Sequence, residues 1–115
     1  MKIRTIFVTI ILNVSTILVA DFSKSEAILV ILGEVVNDQL NHINVFVDSS
    51  IVTVAEYNLT SYKSITNPYI QSWLFFIDDH PRDNWEHDCR YVFLNVTDGS
   101  YQIIAEVTPK LNYEY

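Results

Sequence analysis

A single cysteine in 115 residues means that no disulfide can form within this chain, so its order must come from buried apolar surface. Cys89 is then either a packed side chain or a thiol open to an intermolecular bond. Glycine, at two residues, and proline, at three, are almost as scarce, which excludes collagen-like, low-complexity and repeat architectures and argues against disorder. Positive charge is short as well: seven Lys and Arg stand against fourteen Asp and Glu, a formal net charge of −7. Without a basic patch, nucleic acid is excluded as the expected partner. The longest apolar run, Ile6 to Val19, is interrupted by Asn13 and falls short of the ~20 residues that a bilayer span requires.

That run follows Lys2 and Arg4 and precedes Ala20, the basic, apolar and small-residue succession of a secretory signal. Residues 1–20 are expected to be removed on export, giving a product that begins near Asp21, is secreted, periplasmic or on the cell surface, and has no stable membrane insertion. Cleavage would take the net charge to about −9. Roughly 90 residues would remain, enough for one modest core. Half the composition is apolar and 13% is aromatic, so that core can be filled. The domain is expected over residues 21–108, with 109–115 as a tail lacking periodic structure.

Ser23-Lys24-Ser25-Glu26 has the spacing of a capping box, in which the serine oxygen accepts from an early helix amide and the glutamate reaches back to the serine amide. The spacing predicts a helix from here, with Ile28, Ile31, Leu32, Val35 and Val36 on one face, Leu40 a turn further on, and Glu34, Asn37 and Asp38 toward solvent. Its β-branched content keeps a strand as the competing reading. Asn41 to Val54 reads as two short strands broken at Asp48-Ser49-Ser50, with Ile43, Val45 and Val47 sharing a face. Glu56 to Gln71 carries Tyr57, Tyr62 and Tyr69 without period and offers only a turn at Asn67-Pro68.

The stretch from Ser72 to Val107 organises the rest. Trp73, Phe75 and Ile77 alternate with Leu74, Phe76 and Asp78 in a strand apolar on both sides, ended by His80-Pro81. Asp98-Gly99 predicts a type I′ hairpin with a two-residue loop. Counting outward pairs Val96 with Tyr101, Leu94 with Ile103 and Val92 with Ala105 on one face, and Phe93 with Ile104 and Tyr91 with Glu106 on the other. The expected fold is α+β: one N-terminal amphipathic helix packed on a small antiparallel sheet that ends in a β-hairpin. Because one helix covers only one face of a sheet, Tyr91, Phe93 and Ile104, with Trp85 in the acidic loop at their edge, are expected to form a partner-binding surface. If the segment from Glu56 to Gln71 packs there instead, that surface does not exist.

His80, His87 and Cys89, among Asp78, Asp79, Asp83, Glu86 and Asp88, form the densest polar cluster. A zinc site would draw on both imidazoles, the thiolate and a carboxylate, and His87 with Cys89, two apart on one strand face, could form a nucleophile pair. The spacing matches no familiar zinc signature, and neither an oxyanion donor nor a third orienting group accompanies the pair. The expectation is therefore a solvated acidic loop leading into a buried strand, with no metal, no cofactor and no catalytic residue. A small secreted enzyme or metal-binding protein using His80, His87 and Cys89 is the alternative. Asn58-Leu59-Thr60 and Asn95-Val96-Thr97 match the glycosylation acceptor pattern, which matters only in a eukaryotic source.

The run from Trp73 to Pro81, followed by Asn84 to Tyr101, resembles the N-terminal domain that precedes the catalytic domain in some secreted bacterial cysteine peptidases of the caspase-like (legumain and gingipain) group. More loosely, a helix followed by antiparallel strands ending in a Tyr91 to Phe93 strand and an Asp98-Gly99-Ser100-Tyr101 turn is similar to the PepSY-type propeptide module. Where the first group tends to carry an aromatic or small residue and Pro, this chain has Arg82 and Asp88. The resemblance covers roughly Ser25 to Val107 and implies a non-catalytic prodomain-like or accessory module that binds a protein partner, a cysteine peptidase domain that it inhibits or helps to fold. It carries over no peptidase residues.

Overall fold

Seven consecutive buried residues, Ser72 to Asp78, make one strand the middle of this protein in both directions. A computed structural model describes residues 21–109, so the expected signal segment and the tail beyond Pro109 lie outside the described residues. The fold is α+β: a helix, α1 (Lys24–Val30), packs on an antiparallel sheet of four strands. These are β1 (Asn44–Val47), β4 (Ser72–Asp78), β5 (Cys89–Asn95) and β6 (Tyr101–Glu106), side by side in the order β1-β4-β5-β6. A separate two-stranded pair, β2 (Glu56–Asn58) with β3 (Ser64–Thr66), lies between β1 and β4 in sequence. Among the described residues, no helix is long and apolar enough to cross a membrane.

The capping box forms as its spacing predicts. Glu26 N–H donates to Ser23 Oγ and Ser23 N–H to Glu26 Oε1, both at 3.1 Å. The helix then departs from α geometry: Ile31–Val36 is a π-helical turn and Asn37–Gln39 a 3₁₀ turn. The buried positions are Ala27, Ile31 and Val36, a step of four followed by a step of five, because the wider π turn brings Val36 rather than Val35 beneath Ile31. Ile28, Leu32 and Val35 flank them, partly buried, whereas Leu40 is half exposed and does not extend the apolar face. Asn37 ends the turn at φ 43°, a positive angle that asparagine tolerates better than a β-branched residue would.

Helix and sheet close a core of Ala27, Ile31, Val36, Trp73, Phe75, Ile77, Val92, Leu94 and Val96. On the opposite face, Leu74, Phe76, Cys89, Tyr91 and Phe93 pack against Val52, Leu59 and Ile65. Here the structure corrects the sequence reading. Tyr91 and Phe93 are fully buried and Ile104 is partly buried, because the Glu56 to Gln71 segment folds into β2 and β3 and covers the face expected to be free. Of the second strand expected before Val54, only one bridge forms, between Val52 and Ser72.

The hairpin differs by one step of the pleat. Leu94 faces Tyr101, Val92 faces Ile103 and Tyr91 faces Ile104, two residues short of the expected register. Positive φ occurs at Gly99 (76°) and not at Asp98, whereas a type I′ turn needs it at both. The loop instead runs Val96 to Gly99, closed by Gly99 N–H to the Asn95 carbonyl (2.9 Å) and Asn95 N–H to the Ser100 carbonyl (2.7 Å). Because the slip is by two, each side chain stays on its expected face. Val96 leaves the ladder and enters the helix-side core.

Candidate functional site

Among the described residues, Asp78 is the one carboxylate within the core. It ends β4 at 1% exposure, pairs across the sheet with Cys89, and accepts the His80 N–H at 3.1 Å. His87 reaches back to it from the 79–88 loop, with Nε2 2.7 Å from Asp78 Oδ1 and Nδ1 2.6 Å from the Trp85 carbonyl. Both partners can accept, and the arrangement suits a ring protonated at both nitrogens. Burial opposes that charge, but the Trp85 carbonyl, the Asp78 carboxylate and the nearby Asp83 outweigh it and raise the His87 pKa above its ordinary value.

His80 stands edge-on to His87 with ring centres 6.4 Å apart and is exposed, its Nε2 3.9 Å from an Asp88 oxygen. Cys89, opposite Asp78 and on the same face of the sheet, is packed into the core with Tyr91 and Phe93. Burial, and then the charges of Asp78, Glu106, Asp79 and Asp88, push its thiol up to about 12. At neutral pH it holds its proton and is a poor nucleophile. The cluster is thus brought together in part and divided in function: one imidazole has no free nitrogen, one thiol is buried and protonated, and one imidazole stands in solvent. Among the described residues, no group of three or more His, Cys, Asp and Glu side chains is arranged to hold a metal ion. Arg90 is used locally as well, forking onto Asp79 at 2.8 and 3.1 Å and touching Gln39 at the end of the helical segment.

What the loop presents outward is Trp85, 68% exposed. It lines an open groove of about 550 Å³ with Tyr62, Pro81, Glu86, Thr108 and Pro109. Tyr62, at 93% exposure, is one of several tyrosines that no sequence period marks out. A second open groove, of about 870 Å³, lies between the 40–44 and 79–83 segments, where Leu40, His42, His80 and Arg82 meet. Of the residues expected at a partner surface, then, Trp85 is displayed, Ile104 is partly covered, and Tyr91 and Phe93 are interior. Tyr91 is fully engaged there, its phenol donating to the Thr108 carbonyl at 2.8 Å and its ring 5.1 Å from that of Phe76. Compared with known proteins, the chain has no match: no family model fits it, and no curated protein or solved structure is significantly similar to it.

Proposed function

We propose that this is a secreted, non-catalytic module that binds a protein partner, with Trp85 as the anchor of the contact. The observation that carries the reading is the contrast within one loop. Its buried members, His87 and Asp78, satisfy each other, while the tryptophan between Asn84 and Glu86 is left in water beside a groove. Tryptophan buries a large area at little entropic cost and is the side chain most enriched at binding hot spots. The His87 ring is bonded to the Trp85 carbonyl, so this anchor sits on a backbone held from inside. Pre-ordering of that kind lowers the cost of association.

The resemblance of the Trp73 to Tyr101 stretch to peptidase prodomains makes a cysteine peptidase domain of the caspase-like group the partner to test first. The reading as an enzyme or zinc protein draws no support from a thiol pushed up to about 12 or from an imidazole with both nitrogens engaged. The experiment is inhibition in trans: a purified legumain- or gingipain-type peptidase is assayed with increasing amounts of the chain and of Trp85→Ser. The expected result is saturable inhibition by the first and a loss of about tenfold or more in affinity for the second, with unchanged circular dichroism. Equal affinity of the two proteins would remove Trp85 from the interface.

A further inference from the structure

The last strand ends the sheet, and its backbone parity can be read off the turn. Asn95 N–H donates to the Ser100 carbonyl, and the register runs from Leu94 opposite Tyr101 to Cys89 opposite Glu106. In an antiparallel ladder, hydrogen-bonded pairs recur every second residue, so Gln102, Ile104 and Glu106 turn their amides and carbonyls toward β5. Tyr101, Ile103 and Ala105 turn theirs outward, where no strand lies among the described residues.

Free edges in natural sheets are guarded by lysine, proline, inward charge or brevity. From Tyr101 to Ala105 there is no charged residue and no proline, in a chain whose net charge is −7. The strand is six residues long and Ile103 is 48% exposed. The opposite edge, β1, has four residues and runs straight into Asp48.

We infer that β6 pairs antiparallel with β6 of a second copy, about a two-fold axis at Ile103. The strand is self-complementary in that register. Outward-facing residues oppose outward-facing residues, with Ile103 against itself and Tyr101 against Ala105, a large side chain beside a small one; on the other face Gln102 meets Ile104. Glu106, the strand's one charged residue, comes opposite Ser100 and is already neutralised within its own copy by Lys63 at 3.4 Å. No carboxylate is set against a carboxylate, and the outward groups exchange about six backbone hydrogen bonds across an isologous contact. The contact is independent of the groove at Trp85.

Sedimentation of the full chain, loaded from about 1 µM to 1 mM, measures the association directly, since a contact of this size is weak. The expected result is a monomer at the low end that moves toward dimer mass at the high end, with amide exchange slowing at Tyr101, Ile103 and Ala105 as it does so. Ile103→Pro removes an outward amide that the ladder does not use and should abolish the dimer with the circular dichroism unchanged. Should that variant fail to fold, Ala105→Lys, which sets a charge beside Tyr101 of the second copy, decides the matter by the same readout. A monomer throughout, or a dimer that survives the folded variants, overturns the inference. So does slow exchange at those three amides in the monomer, which would mean that the chain covers its own edge.

Discussion

Removing the imidazole of His87 should cost more than any other change in the 79–88 loop. Asp78 is 1% exposed, and without His87 its carboxylate keeps the His80 amide as a partner but loses the one counter-charge it has among the described residues. Breaking a buried pair from one side typically costs about 3–5 kcal/mol, because the surviving charge is left in a poor solvent. A domain of this size has about 5–10 kcal/mol in total, so His87→Ala should bring it close to unfolding at room temperature. Asp78→Asn keeps the volume and an acceptor and should cost about 1–2 kcal/mol, the scale of one weakened hydrogen bond. The pair also fixes a pH dependence. The folded state raises the His87 pKa above 6.5, so the stability drawn from the pair is fully present below that pH and is lost as pH climbs through the raised value. Urea denaturation of wild type and of His87→Gln, from about pH 6 to 8, below the range where the unfolded Cys89 thiol ionises, measures this: wild type should lose stability toward the upper end while the variant stays flat. Parallel profiles for the two proteins would refute the reasoning, since the imidazole would then carry no charge in the fold.

Phe93→Ala should cost about 3–5 kcal/mol and Leu94→Ala about 2–5, both by chemical denaturation, because the two residues are equally buried on opposite faces of β5. A Phe93 variant that loses almost nothing would mean that the β2–β3 layer does not cover it. Cys89 should be silent to a thiol reagent at pH 7 in the folded protein and react stoichiometrically in denaturant, since burial and four carboxylates hold its thiol near 12. Gly99→Ala should destabilise by about 1–3 kcal/mol in the same denaturation assay, because a Cβ there needs positive φ and would also meet the Phe22 ring.

The elements with strong local rules were legible. A capping box is four residues of specific chemistry, and Ser23 with Glu26 obeys it; the run from Trp73 to Asp78 reads as a strand apolar on both sides, and it is buried on both. The hairpin turn was placed but given the wrong type. Asp-Gly fits a two-residue loop, yet the side chains of Asn95 and Asp98 accept from the amides of Thr97 and Ser100, and those local bonds favour the wider loop. What could not be read was the second layer. Strands of three residues show no period, and β2 and β3 are held by pairings that need the folded chain, such as the Glu56 carboxylate accepting from Ser64 and Thr66. The error propagated: with that layer missing, Tyr91 and Phe93 looked exposed.

Sequence density is a poor guide to chemistry, and for a definable reason. A side chain can act on a substrate only if a proton or lone pair is left over once the fold has taken its share. In this cluster little is left. His87 spends one nitrogen on the Trp85 carbonyl and the other on Asp78, and Cys89 is turned into the core beside Tyr91. His80 alone keeps free valence, and it stands in solvent, 3.9 Å from Asp88. The polar groups therefore serve to shape the 79–88 loop. His80 N–H to Asp78 fixes where β4 ends, His87 fixes where β5 begins, and the backbone between them carries Trp85 outward. A residue that is costly to leave in water, mounted on a loop secured by a buried pair, gives that loop's polar residues a positioning role and sets the tryptophan where the proposed contact needs it.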